Sequence, residues 1–344
     1  MQGPLRNRRD AKLLVASRDG ALESAPRSRF ADLVSPGDLV VANDAATLPA
    51  SLAGRHERSG RSIELRLARR ASFDDESWRA FQAVVFGEGD SRLPTERRLA
   101  PPALIEGDVL LLGPLEARVT RILGHPRFVE IEFRETADAI REGLARHGRP
   151  VQYAHVARPL ALWDVWTCIA GPPVAFEAPS AGFILDWALL SKLARRGARF
   201  ATLTHAAGLS STGDAALDAR FPLDEPYDIP AATALAVADA KRRSARVIAT
   251  GTSVARALEH AATADGYVRP GPGVATQRIG AASRLHVVDA IVTGVHEPGD
   301  SHFDLLRAFA GEGRLATIRA RALADSLRGH EFGDWMFVDK DDAR

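Results

Sequence analysis

The chain is poor in sulfur, with one cysteine and two methionines among its 344 residues. A single thiol, Cys168, excludes an internal disulfide framework and any thiolate-rich metal site. Its apolar surroundings, Trp163 to Ala170, suit a small buried hydrophobe. Long hydrophobic runs are also missing: no stretch of about 20 apolar residues reads as a membrane span, and no charged-then-apolar leader follows Met1. These absences predict a soluble, cytoplasmic protein. A net charge of +1 excludes a chain-wide basic field, so any phosphate contact must come from local clusters. Arg6, Arg8, Arg9 and Lys12 make one such cluster. Arg55, Arg58, Arg61, Arg66, Arg69 and Arg70 make another, interleaved with Glu57 and Glu64, and a solvated surface is the plain reading of both.

Common catalytic signatures are absent as well. There is no G-x-x-x-x-G-K-[ST] phosphate loop, no G-x-G-x-x-G after a strand, no G-x-S-x-G elbow and no H-E-x-x-H. The usual nucleotide hydrolase, dehydrogenase, esterase and zincin readings thus lose their main support. No internal repeat or low-complexity tract is present.

What is there divides into two textures. A single core stops growing below about 300 residues, so a chain of this length predicts two domains. Leu13 to Ser17 reads as a strand entering a turn at Asp19-Gly20, and Leu39 to Ala42 as a strand ending at Asn43-Asp44. From residue 57 to 152 short alternating segments recur, among them Ser62 to Leu67, Gln82 to Phe86, Asp108 to Leu112, Ala117 to Ile122 and Phe128 to Phe133. Many short strands separated by Gly and Pro signals predict a small antiparallel β-barrel, closed by a helix over Glu135 to Arg146.

After residue 152 strands alternate with helices. Helices are predicted at Phe183 to Arg196, Pro230 to Arg243, Thr252 to Ala262, Phe303 to Gly311 and Leu315 to Leu327, and strands at Phe200 to Thr204, Arg246 to Thr250 and Val287 to Thr293. The fold class is therefore α/β: residues 1–56 and 153–344 form one domain whose mostly parallel sheet is covered by helices, with the barrel of residues 57–152 inserted.

Strand-to-helix junctions carry nearly all the polar residues of interest. Ser180, Ala181 and Gly182 precede a helix, where a hydroxyl and free N–H groups meet either a ligand or the helix itself. His205 stands at a strand end, Thr250, Gly251, Thr252 and Ser253 form a third junction followed by Arg256 and Glu259, and Thr293 to Pro298, with His296, a fourth. Open sheets bind ligands at such ends, and four junctions on one edge would converge on one cleft. Two further readings stay open: His296, Asp300, His302 and Asp304 as a metal-hydrolase cluster, and Trp163, Trp166 and Trp187 as base-stacking or packing residues.

Pro36-Gly37-Asp38-Leu39-Val40-Val41 through Asn43-Asp44, then Leu48-Pro49-Ala50, resembles the N-terminal signature of the S-adenosylmethionine:tRNA ribosyltransferase-isomerase family of queuosine biosynthesis. Ala178 to Gly182 resembles its A-P-[TS]-A-G segment, and Gly251-Thr252-Ser253 with Arg256 and Leu258-Glu259 its G-T-[ST] helix start. Val287 to Ala290, Thr293, His296, Pro298 and Ala308 to Gly311 are similar to its late strand, turn and helix, and Phe332-Gly333-Asp334 with Met336 to its terminal G-D-x-M. The matches run in order from Arg9 to Val338.

This resemblance implies an α/β domain with an inserted barrel, agreeing with the periodicity. It further implies S-adenosylmethionine as co-substrate, no metal, and transfer with isomerisation of its ribosyl unit onto 7-aminomethyl-7-deazaguanine in tRNA, giving epoxyqueuosine, adenine and methionine. His205 and His296 become the candidate bases, Glu225 a further catalytic candidate, and Asn43, Asp44, Ser180, Thr252, Glu259, Asp289 and Asp334 candidates for holding the nucleoside. The chain departs from the family pattern at Ala46 and Ser51, where the family carries arginine, and at Arg220 to Tyr227, which keeps Glu225 without the family's histidines. A related transferase with a non-tRNA acceptor, or a non-catalytic nucleoside- or RNA-binding protein, is the alternative.

Overall fold

The computed structural model describes residue 8, residues 10–329 and residues 332–341, so Arg6 and Arg9 of the first basic cluster lie outside the described residues. Nine strands make one sheet. From edge to edge they are Gly271–Ala275, Glu225–Ile229, Arg199–His205, Leu39–Asn43, Val247–Thr250, Ala290–Gly294, Trp335–Asp339, Lys12–Ala16 and Leu22–Pro26. Leu39–Asn43 is central, with Arg199–His205 and Val247–Thr250 parallel on its two sides and Ala290–Gly294 parallel beyond.

The expectation of a mostly parallel sheet is corrected here: of the eight neighbouring pairs four are parallel and four antiparallel. Three strands without a signal in the sequence account for much of this. Glu225–Ile229 and Gly271–Ala275 carry Pro226, Gly271, Pro272 and Gly273, residues that punctuate chains more often than they build ladders. Gly271–Ala275 tolerates Pro272 because it is the sheet's edge. Trp335–Asp339 is buried throughout and runs antiparallel to Ala290–Gly294.

Both faces of the sheet are covered, as alternation along the strands requires. Leu39, Val41, Val247 and Ala249 join one apolar cluster with helices Ala231–Arg242, Thr252–Ala261 and Glu312–Ala324. Val40, Ala42, Ile248 and Val292 join another with helix Trp187–Arg195 and the turn Ser180–Ile184. Each fully buried Val or Leu contributes about 1.5–3 kcal/mol relative to exposure. The single helix expected over Phe183 to Arg196 is two elements, because Asp186 interrupts it and caps the second by accepting from Leu189 N at 2.7 Å.

Strands Ser51–His56, Ser62–Arg69, Ala80–Phe86, Val109–Leu112, Leu115–His125 and Phe128–Phe133 close into an antiparallel barrel. Phe81 fills its centre, edge-on to Phe133 at 5.7 Å and to Phe176 at 6.2 Å. Ala206, Leu209, Leu217 and Phe221 pack into the same core, which seats the barrel against the loop leaving Arg199–His205. The second arginine cluster is split: Arg55, Arg58 and Arg61 are exposed as expected, but the rest is not solvated surface. Arg66 and Arg70 are buried, Arg66 bound to Glu64 at 2.6 Å, and Arg58 is clamped on Asp108 at 2.7 and 2.9 Å.

Candidate active site at the carboxyl edge of the sheet

The four central parallel strands end together, at His205, Asn43, Thr250 and Gly294. Side chains and N–H groups that leave a sheet at its carboxyl ends have no further ladder partner, so ligands settle there. A cleft of about 640 Å³ opens at this edge, within the range of pockets that enclose small molecules. All four junctions read in the sequence contribute to it, through Ala178 to Ala181, Ala207 to Leu209, Thr250 to Ser253 and Thr293 to Glu297.

Local geometry explains why these residues face the cleft. Gly251 sits at φ +107°, a conformation that other residues rarely adopt, and a Cβ there would approach the Ala181 Cβ to 3.3 Å. This bend lets helix Thr252–Ala261 begin directly at the cleft wall. No side chain caps the helix, so its first-turn N–H groups, with Thr252 and Ser253, are available to a polar or anionic group. The Thr250 hydroxyl lines the cleft, is buried and has no hydrogen-bond partner among the described residues. A buried orphan hydroxyl of this kind is costly unless something in the cleft satisfies it.

Glu225 and Arg256 form the charged floor. One Glu225 oxygen accepts from Gly208 N at 2.6 Å and the other binds the Arg256 guanidinium. Arg256 is held further by the carbonyls of Gln277 at 3.0 Å and of Leu223 and Ala275, each at 2.8 Å. Burial pushes the Glu225 carboxyl above its ordinary range, although Arg256 pulls the other way. Gly208 is squeezed in the seam: a Cβ there would lie 2.8 Å from the Ala68 carbonyl of the barrel and 3.1 Å from Glu225.

The two histidines separate. His296 lines the cleft, its Nε2 paired with the Thr293 hydroxyl at 2.8 Å and its ring 4.9 Å from that of His302. Burial, and next the neighbouring His302, hold its pKa well below the usual imidazole range, so it is neutral at pH 7. His205 does not line the cleft. It is wholly buried behind Glu225, Nε2 to Oε2 3.5 Å, and among the described residues neither ring nitrogen has a hydrogen-bond partner. Its place at a strand end suggested access, but Asn43 fastens that strand end inward through both backbone groups of His205, at 2.9 and 3.0 Å.

His205 carries a stability consequence. Burial, then the charge of Arg256, push its pKa from 6.5 to about 3. Between those values the unfolded chain binds the proton and the folded chain does not, so stability is intact above about pH 6.5 and falls as pH falls. Acidification to about pH 4 is expected to cost about 3 kcal/mol through this group. Urea unfolding across pH 4–7 measures it, and H205F should lose that part of the acid slope; an unchanged slope refutes the assignment.

The remaining candidates divide by what holds them. Ser180, Ala181, Gly251, Thr252, Ser253 and Arg256 line the cleft; Gly182 lies just behind it against Thr167. Asn43 and Asp44 brace the strand ends, Asp44 accepting from the Thr204 hydroxyl at 2.7 Å. Glu259, Asp289 and Asp334, expected to hold the nucleoside, lie outside the cleft lining. Their carboxylates are already engaged: Glu259 accepts from N–H of residues 286–288, Asp289 from Val247 N and from the Lys241 ammonium, and Asp334 from Lys12 N and Arg328 N.

Asp300, His302 and Asp304 line the cleft beside His296, yet among the described residues no group of three or more His, Cys, Asp or Glu is arranged to hold a metal ion. Trp163, Trp166 and Trp187 are all exposed, Trp166 the least of them and donating to the Thr47 carbonyl. Arg278, Arg307 and His302 are lining residues without an expected place in a nucleoside site. Arg278 lies on a loop with no periodic signal, while His302 and Arg307 follow the fourth junction closely enough to have been included.

The sequence profile of the queuosine biosynthesis protein family matches residues 1–338. The chain belongs to that family. It is 33% identical over 344 residues to the S-adenosylmethionine:tRNA ribosyltransferase-isomerase of Geobacter sulfurreducens, covering 98% of this chain and 95% of that protein. To the like-named protein of Anaeromyxobacter dehalogenans it is 34% identical over 342 residues, covering 96% and 93%. The crystal structure of S-adenosylmethionine tRNA ribosyltransferase from Thermotoga maritima shares the fold, with a TM-score of 0.50 and 22% identity over 98% of this chain and 95% of that one. Family membership is thus carried by the whole chain, barrel and sheet alike. Among the described residues no helix is long and apolar enough to cross a membrane.

Proposed function

We propose that this chain is a cytoplasmic S-adenosylmethionine:tRNA ribosyltransferase-isomerase, which transfers and isomerises the ribosyl unit of S-adenosylmethionine onto 7-aminomethyl-7-deazaguanine in tRNA. The observation that carries the reading is the convergence of all four family-like junctions on one cleft of about 640 Å³. S-adenosylmethionine supplies a sulfonium that acidifies the adjacent ribose C5′ and makes departure of adenine feasible. The residues present suit such a nucleoside: an unpartnered buried hydroxyl at Thr250, an open helix start at Thr252 and Ser253 for a carboxylate, and polar Ser180 opposite.

In this reading His296 is the base. It is neutral at pH 7, lines the cleft and is oriented by Thr293. The Glu225–Arg256 pair fixes the floor against which the reacting atoms are positioned, and the neutral His205 ring packs behind Glu225. Incubation with S-adenosylmethionine and tRNA bearing the aminomethyl base should release one adenine and one methionine per modified tRNA. Failure to release adenine, from protein that is folded and binds both substrates, removes the reading.

A further inference from the structure

Arginines around the cleft fall into two groups. Arg256 and Arg307 are neutralised, the first by Glu225 and the second by Asp304 and by Glu312 at 2.7 Å. Arg278, Arg220 and Arg127 are different: each is bound to main-chain carbonyls, and among the described residues none of them pairs with a carboxylate. Arg278 is exposed, lines the cleft and donates to the Ala219 carbonyl at 3.1 Å. The next residue, Arg220, is exposed and crosses to the barrel, donating to the Leu123 carbonyl with its guanidinium 5.7 Å from the Phe128 ring centre. Arg127 follows on the same hairpin, donating to the Arg98 carbonyl at 3.5 Å.

These three stand in turn at the cleft mouth, at the seam and on the barrel hairpin, and make a local cationic track. The hairpin is shaped to receive it: Gly124 sits at φ +67°, and a Cβ there would approach the Arg220 guanidinium to 3.2 Å. Asp214, which meets the hairpin at His125, is taken up by that ring at 3.2 Å and by the N–H groups of Ala216 and Leu217. Guanidinium groups bonded to neutral carbonyls keep their full charge and spare N–H donors for an incoming anion. In a chain whose net charge is only +1, such a local track is the feature suited to a polyanion.

We propose that Arg278, Arg220 and Arg127 bind backbone phosphates of the tRNA loop that delivers the acceptor base to the cleft. The inference rests on the tRNA reading given above and adds to it a docking surface: the acceptor strand enters over the Arg220 seam rather than over the exposed Trp163 and Trp187.

The test is filter binding of tRNA carrying 7-aminomethyl-7-deazaguanine to the full chain, measured across a salt series for wild type, the R220Q/R278Q double variant and the R220K/R278K double variant. Wild type should show a steep salt dependence. The glutamine pair should bind more weakly, with a log–log slope shallower by about 1.4–1.8 for two lost phosphate contacts. The lysine pair, which keeps both charges, should restore most of the slope and thereby separates lost charge from lost folding. A wild-type slope that the glutamine pair leaves unchanged overturns the track while sparing the tRNA reading. Absence of salt-sensitive tRNA binding by wild type overturns both.

Discussion

Replacing Arg256 by methionine is expected to cost about 3–5 kcal/mol of folding stability, the range seen when one partner of a buried ion pair is removed. Glu225 is buried and keeps only the Gly208 N–H once the guanidinium is gone, while the carbonyls of Leu223, Ala275 and Gln277 lose their donor together. Lysine would not restore the site, because one ammonium cannot reach four acceptors that a planar fork serves at once. Adding E225Q should recover part of the loss by removing the stranded charge. The quantity to measure is the coupling energy in a urea-unfolding double-mutant cycle of R256M, E225Q and the double variant. A loss below about 1 kcal/mol for R256M, or strictly additive losses in the cycle, would show that the pair does not hold the floor of the cleft.

How far this site was legible in the sequence depended on what kind of signal each residue left. The central strands were visible because residues buried on both sides read as continuous apolar runs: Leu39 to Ala42 and Arg246 to Thr250 needed no partner to be recognised. The junctions after them were visible because turns and helix starts leave Gly, Ser, Thr and Pro at fixed places, and all four junctions do line the cleft. Strands built around proline and glycine were not visible, and Glu225–Ile229 is the instructive case. Its pairing with Gly271–Ala275 turns the sheet's edge antiparallel and carries Glu225 under the cleft. Side-chain direction was equally out of reach. His205 and His296 looked alike at strand ends, but only the fold shows Asn43 pinning the first inward and Thr293 turning the second toward the cleft. Asp289 and Asp334 sat in family-like segments for a related reason, since a carboxylate that satisfies backbone N–H groups leaves the same trace in a sequence as one that meets a ligand.

H296A should reduce turnover by about 10²–10⁴-fold, the usual contribution of a positioned base, while leaving the affinity for S-adenosylmethionine within a few-fold of wild type. Proton removal needs an unprotonated nitrogen inside the cleft, and His296 provides one at pH 7 because burial and the adjacent His302 disfavour its charged form. A depressed pKa also fixes the direction of the pH profile. Activity should stay flat as pH falls through 6.5, where an ordinary histidine would already be half protonated, and decline only well below it. T293V should act through the same group, since the hydroxyl that meets Nε2 sets the ring's orientation; its loss is expected to be about tenfold, with the acid limb shifted, as the environment of the imidazole changes. Rates of adenine release from pH 5 to 8 for the three proteins decide the matter. If H296A keeps turnover within about tenfold of wild type with the same acid limb, the proton is taken by another group, and Glu225, whose carboxyl burial holds above its ordinary range, becomes the residue to test.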